Sequence, residues 1–83
     1  MSKAGRALKQ VLEAYGINQT RLAIEMKVPS SNVNRWVNET RDPSGDAIFN
    51  IKTALEKFDS EAAETFVKLY LYTSEVVGED DRG

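Results

Sequence analysis

Between Gln19 and Asn38 the sequence gathers side chains that donate and accept hydrogen bonds in pairs: Gln19, Ser30, Ser31, Asn32, Asn34, Arg35 and Asn38. An arginine offers two parallel donors, an asparagine or glutamine a donor beside an acceptor, and a serine hydroxyl either role. Such a set suits recognition of flat polar edges and anionic oxygens without covalent change. Catalysis finds no comparable support. The chain holds no Cys and no His, and it lacks a glycine-rich phosphate loop and ligand-spaced carboxylates with a metal partner. Glu61 and Glu64 read as first-turn helix residues. No enzyme, no metal site and no cofactor are expected.

These side chains must be held by elements, and apolar spacing shows which. Ala4, Leu8, Val11, Leu12 and Tyr15 recur at helical intervals and Gly16 can end a helix, so a first helix is expected roughly from 3 to 15. Asn18 is a good N-cap for a second, about two turns long, with Leu22, Ala23 and Met26 on one face before Lys27-Val28-Pro29. Ser30 or Ser31 can cap a third, in which Val33, Trp36 and Val37 point one way. Ser31, Asn32, Asn34, Arg35 and Asn38 point elsewhere. Thr40 to Pro43 breaks the pattern, Ser44 can cap a fourth helix, and Ile48, Ile51, Leu55 and Phe58 mark its inner face.

Asp59-Ser60 opens a fifth helix over 59–77. Ala63, Phe66, Val67 and Tyr70 make one stripe along it, and Ala62, Leu69, Tyr72 and Val76 a second. The arc is wider than one packing contact requires. We read Leu69, Tyr70 and Tyr72 as a dimer interface, the alternative being core and rim of a monomer. Gly78 then begins a short acidic tail over 78–83. No stretch alternates with a period of two, so the expected fold is all-α, five helices in one domain over 1–77.

At 83 residues with 41% hydrophobic and 29% charged content, the chain can build one core and not two. With no cysteine a reducing compartment fits, and cytoplasm is the expectation. No apolar run approaches the roughly 20 residues of a membrane helix, and the N-terminus lacks a signal-peptide core, so neither membrane nor export is expected.

The net charge of −2 hides an asymmetry. Residues 1–57 carry nine Lys or Arg against six Asp or Glu, and residues 58–83 two against seven. Screening limits the reach of a charge to about 8 Å at physiological salt, so a basic surface can coexist with a distant acidic segment.

Two short helices joined by a tight turn can lay the second in the DNA major groove and the first across the backbone. That geometry needs a small contact residue, for which Ala23 stands. It needs a fixing set, here Leu22, Met26, Val28, Val33 and Trp36, and exposed polar groups, here Ser30, Ser31, Asn34 and Arg35.

Over roughly residues 5 to 58 the chain resembles the phage repressor and Cro family of helix-turn-helix domains. Gln19, Ala23 four residues on, Val33 ten beyond that and Trp36 match its motif, and Pro43, Ile51, Ala54 and Leu55 match the element that follows. Three positions depart: Lys27 and Glu39 stand where Gly is usual or frequent, and Pro29 where a Ser or Thr cap is usual. A left-handed Lys27 would cost about 1 kcal/mol relative to Gly, and Pro29 would shift the cap to Ser30.

The resemblance implies a compact five-helix lambda-repressor-like bundle. By position it places Gln19 and Asn38 on phosphates, with Arg41 a further phosphate candidate, and Ser30, Ser31, Asn34 and Arg35 at base edges. Arg35, able to grip guanine O6 and N7, is the main specificity candidate. The function so implied is a sequence-specific regulator of transcription, a repressor binding a near-palindromic site on double-stranded DNA as a homodimer. An antitoxin of a toxin-antitoxin pair, or a protein-interaction module on the same fold, are the alternatives.

Plainer readings stand beside these. Trp36, between Val33 and Val37 at helical spacing, reads as core and not as a stacking platform. Arg21 and Arg35 could be ordinary solvated charges, and Gln19 a tolerated polar residue at a helix start.

Overall fold

In a computed structural model the backbone is described over Lys3–Arg82 and the side chains over Lys3–Tyr72. Five helices follow one another: α1 (Lys3–Tyr15), α2 (Gln19–Met26), α3 (Ser30–Val37), α4 (Gly45–Phe58) and α5 (Ser60–Arg82), with no strand among the described residues.

Side chains start most of these helices. Asn18 Oδ1 accepts from Thr20 N at 2.6 Å and Arg21 N at 3.3 Å at the head of α2. Ser44 Oγ accepts from Ala47 N at 3.1 Å at the head of α4, and Asp59 Oδ1 from Glu61 N at 2.9 Å at that of α5. Each satisfies an amide that the first turn leaves without a helical partner.

The third helix departs from expectation. Neither Ser30 nor Ser31 caps it; Pro29 occupies the cap position in extended conformation (φ −61°, ψ 143°) and makes no side-chain cap hydrogen bond. Proline has φ preset near this value, so the chain enters α3 one residue early and both serines fall inside its first turn.

The first three helices end alike. Gly16, Lys27 and Glu39 adopt left-handed φ of 64°, 61° and 61°. The next amide then reaches back five residues: Ile17 N to Leu12 O, Val28 N to Ala23 O and Thr40 N to Arg35 O, at 2.9, 3.0 and 3.0 Å. The bond satisfies an orphan carbonyl whichever side chain stands at the turn. Lys27 and Glu39 each carry a strain of about 1–2 kcal/mol that glycine would avoid. Glu39 also meets Arg6 Nη2 at 3.7 Å.

Every helix contributes to one core. Leu8 and Val11 of α1, Leu22 of α2, Val33 of α3, Ile51 and Leu55 of α4 and Phe66 of α5 are fully buried. Ala23, Ala54, Ala62 and Ala63, also buried, keep the helix surfaces close. Helix α2 packs on α3 and α4, α1 on α3 and α5, and α4 on α5. Outside the core, Tyr15 Oη and Thr65 Oγ1 lie 2.9 Å apart between α1 and α5. Glu25 pairs with Lys57 at 3.0 Å, and the Arg21 guanidinium lies 5.7 Å from the Phe58 ring centre, both between α2 and α4.

The backbone of α5 stays helical through Gly78 to Arg82, past the point where the sequence reading ended it. An interior glycine costs a helix about 1 kcal/mol, which weakens it without stopping it.

Candidate functional site

Helices α2 and α3, linked by Lys27, Val28 and Pro29, carry the polar set. On α3, Val33, Trp36 and Val37 are buried, Trp36 being 6% exposed, so the indole belongs to the core. Stepping about 100° per residue from that anchor sorts the remaining side chains. Ser31 and Arg35 take the middle of the outward arc. Asn34 borders it on the side where α2 begins and Asn32 on the side of α4, with Asn38 between Asn34 and Ser31.

Ser30, Ser31, Asn34, Arg35, Asn38 and Arg41 are exposed, and Gln19 is half-buried at the first position of α2. Asn34 Nδ2 donates to Gln19 Oε1 at 3.5 Å, and Asn38 Nδ2 donates to Asn34 Oδ1 at 3.0 Å. The structure thus brings Gln19, Asn34 and Asn38 together across two helices. Ser31 and Arg35 stand apart from that group with no side-chain hydrogen bond or ion pair among the described residues.

A depression lies on each side of α3. One, of about 440 Å³, is lined by Lys9, Asn18, Gln19 and Asn38 among others. The second, of about 320 Å³, is lined by Asn32, Arg41 and Asn50 beside the edge of Trp36. Arg41 thus lines a different depression from Gln19 and Asn38. Sequence reading missed Lys9 and Asn50, which reach these depressions only through packing of α1 and α4. It placed Asn32 on the polar face without giving it a role, although its spacing from Trp36 was available.

The cations differ in their company. Lys52 is bonded to Glu56 at 2.8 Å and Lys57 to Glu25. Lys9, Arg35 and Arg41 make no ion pair among the described residues. An unpaired arginine beside serine and amide groups can grip an acceptor pair or an anionic oxygen at no cost of breaking an internal contact.

On α5, Leu69 and Tyr70 are half-buried against the core, while Leu71 and Tyr72 are 50% and 62% exposed. Val76, the last member of the expected second stripe, lies outside the residues whose side chains are described. Among the described residues no helix is long and apolar enough to cross a membrane, and no cluster of three potential metal ligands occurs.

No family model, no curated protein and no solved structure matches this chain.

Proposed function

We propose that this protein is a sequence-specific binder of double-stranded DNA that regulates transcription, with α2 and α3 forming a helix-turn-helix in a lambda-repressor-like arrangement. One observation carries the reading most: the exposed arc of α3 centres on an unpaired Arg35 with Ser31, between flanks that hold further uncommitted donors. The B-DNA major groove is about 12 Å wide and accepts one helix, and an arginine spans guanine O6 and N7 there. Ser30, Ser31, Asn34 and Arg35 face base edges in this reading, and Gln19, Asn38 and Arg41 meet phosphates, with Lys9 beside Gln19 as an added cation.

A single domain of this size makes few phosphate contacts, so two copies on half-sites about 34 Å apart form the working unit. Leu71 and Tyr72, exposed on α5 next to Leu69 and Tyr70, supply apolar surface for that pairing. The same surface favours a second reading, in which α5 receives a different protein as an antitoxin or an interaction module would.

Selection of bound duplexes from a random pool tests the proposal. Enrichment of one motif, repeated in two inverted half-sites, is the expected result. No enrichment, with weak binding even at low salt, contradicts it and transfers weight to the protein-partner reading.

A further inference from the structure

The three amides on one flank of α3 are not equivalent to the residues at its centre. On the protein surface Asn34 Oδ1 accepts from Asn38 Nδ2 at 3.0 Å and its Nδ2 makes a longer contact, 3.5 Å, to Gln19 Oε1, so both ends of its amide face protein partners. Its register places it beside Asn38, away from the middle of the arc held by Ser31 and Arg35. We infer that Asn34 is a positioning residue that ties Gln19 to Asn38 in one unit gripping the DNA backbone, and not a reader of base edges. The inference rests on the DNA-binding reading and revises the role that the resemblance gave to Asn34.

The direction of the hydrogen bonds supports it. Asn38 donates to Asn34 and Asn34 donates to Gln19. Both N–H groups of Gln19 Nε2 therefore remain unused among the described residues, and each amide polarises the next along the chain. The Gln19 end of the unit thus offers N–H donors to a phosphate oxygen, while the Asn38 end keeps one N–H beside its Oδ1 acceptor.

Linking also removes freedom. Gln19 on α2 and Asn38 at the end of α3 belong to different helices, and Asn34 fixes their spacing before any ligand arrives. An interaction arranged in advance costs less to form on binding.

The test compares wild type, Asn34→Ala, Gln19→Ala and the double variant, by duplex selection and by titration on the selected duplex and on a duplex of unrelated sequence. Because Asn34 is exposed, thermal melting is expected to be unchanged and serves as the folding control. Asn34→Ala is expected to enrich the same motif as wild type and to bind both duplexes about 5- to 10-fold more weakly, the loss of one or two ordinary hydrogen bonds. Gln19→Ala is expected to cost little more once Asn34 is gone. A changed base preference in the Asn34→Ala selection, or losses that simply multiply in the double variant, overturns the inference while leaving DNA binding intact. A wild type that enriches no duplex overturns both.

Discussion

The outer faces of α3 and α4 are both polar, and they treat their charges in opposite ways. On α4, both lysines are matched, Lys52 to Glu56 of the same helix and Lys57 to Glu25 of α2. On and after α3, Arg35 and Arg41 are unmatched among the described residues, although Glu39 and Asp42 stand nearby in sequence. A folded chain gains little from a surface ion pair, about 0–1 kcal/mol, so the pairing on α4 is no measure of its stability. What the contrast teaches is where binding is least opposed: an unpaired guanidinium at the centre of a helix face meets a ligand without breaking an internal contact, whereas a paired ammonium must first give up its partner.

The largest effect that can break this contrast comes from two neighbours on α3. Trp36→Ala removes a side chain that is 6% exposed and should cost about 3–5 kcal/mol of folding stability, read as a lower denaturation midpoint. Arg35→Ala, one position earlier, should leave the midpoint within about 0.5 kcal/mol and cost about 1–3 kcal/mol of discrimination between the selected duplex and an unrelated one. If the two variants behave alike, the division of α3 into an inner and an outer face is wrong.

A smaller effect concerns the turn that holds α3 against α2. Lys27→Gly should raise stability by about 0.5–1 kcal/mol in urea unfolding, because glycine takes the left-handed conformation without the Cβ clash. A destabilised variant would mean that the lysine side chain contributes more than its backbone strain costs. Smallest is the expected effect on α4: Lys57→Ala should change DNA affinity less than about twofold and stability by at most about 1 kcal/mol. A large loss of affinity there would erase the distinction between paired and unpaired cations.

For the proposed pairing of two copies, the half-buried Leu69 and Tyr70 are poor probes, since they also support the core. Tyr72→Ala together with Leu71→Asp is the better choice, and it should shift the sedimentation of a dimer toward the monomer at unchanged helical content, with a melting temperature that no longer depends on protein concentration. A wild type already monomeric at high micromolar concentration contradicts that part of the proposal.

Much of the fold was legible because local chemistry announces itself. Asn18, Ser44 and Asp59 place helix starts, Gly16 a helix end, and the spacing of Val33, Trp36 and Val37 the inner face of α3. The start of α3 was misplaced because Pro29 has the usual extended conformation of a cap residue without any capping side chain. The end of α5 was misplaced because a glycine permits a stop without imposing one. The polar set could be listed from sequence but not subdivided. Gln19 and Asn34 are fifteen residues apart, and only the packing of α2 on α3 brings their amides together. Lys9 joins the same flank only through the packing of α1.

The most direct test of the central claim is a titration of the selected duplex at several salt concentrations with wild type and Arg35→Ala. The expected result is a wild-type affinity that falls steeply with salt, by a slope of roughly 0.9 per phosphate neutralised, and a variant that loses preference for the selected duplex while retaining its binding to unrelated DNA. Binding that is insensitive to salt, or a variant that keeps the wild-type preference, would contradict the assignment of α3 as the helix that reads DNA.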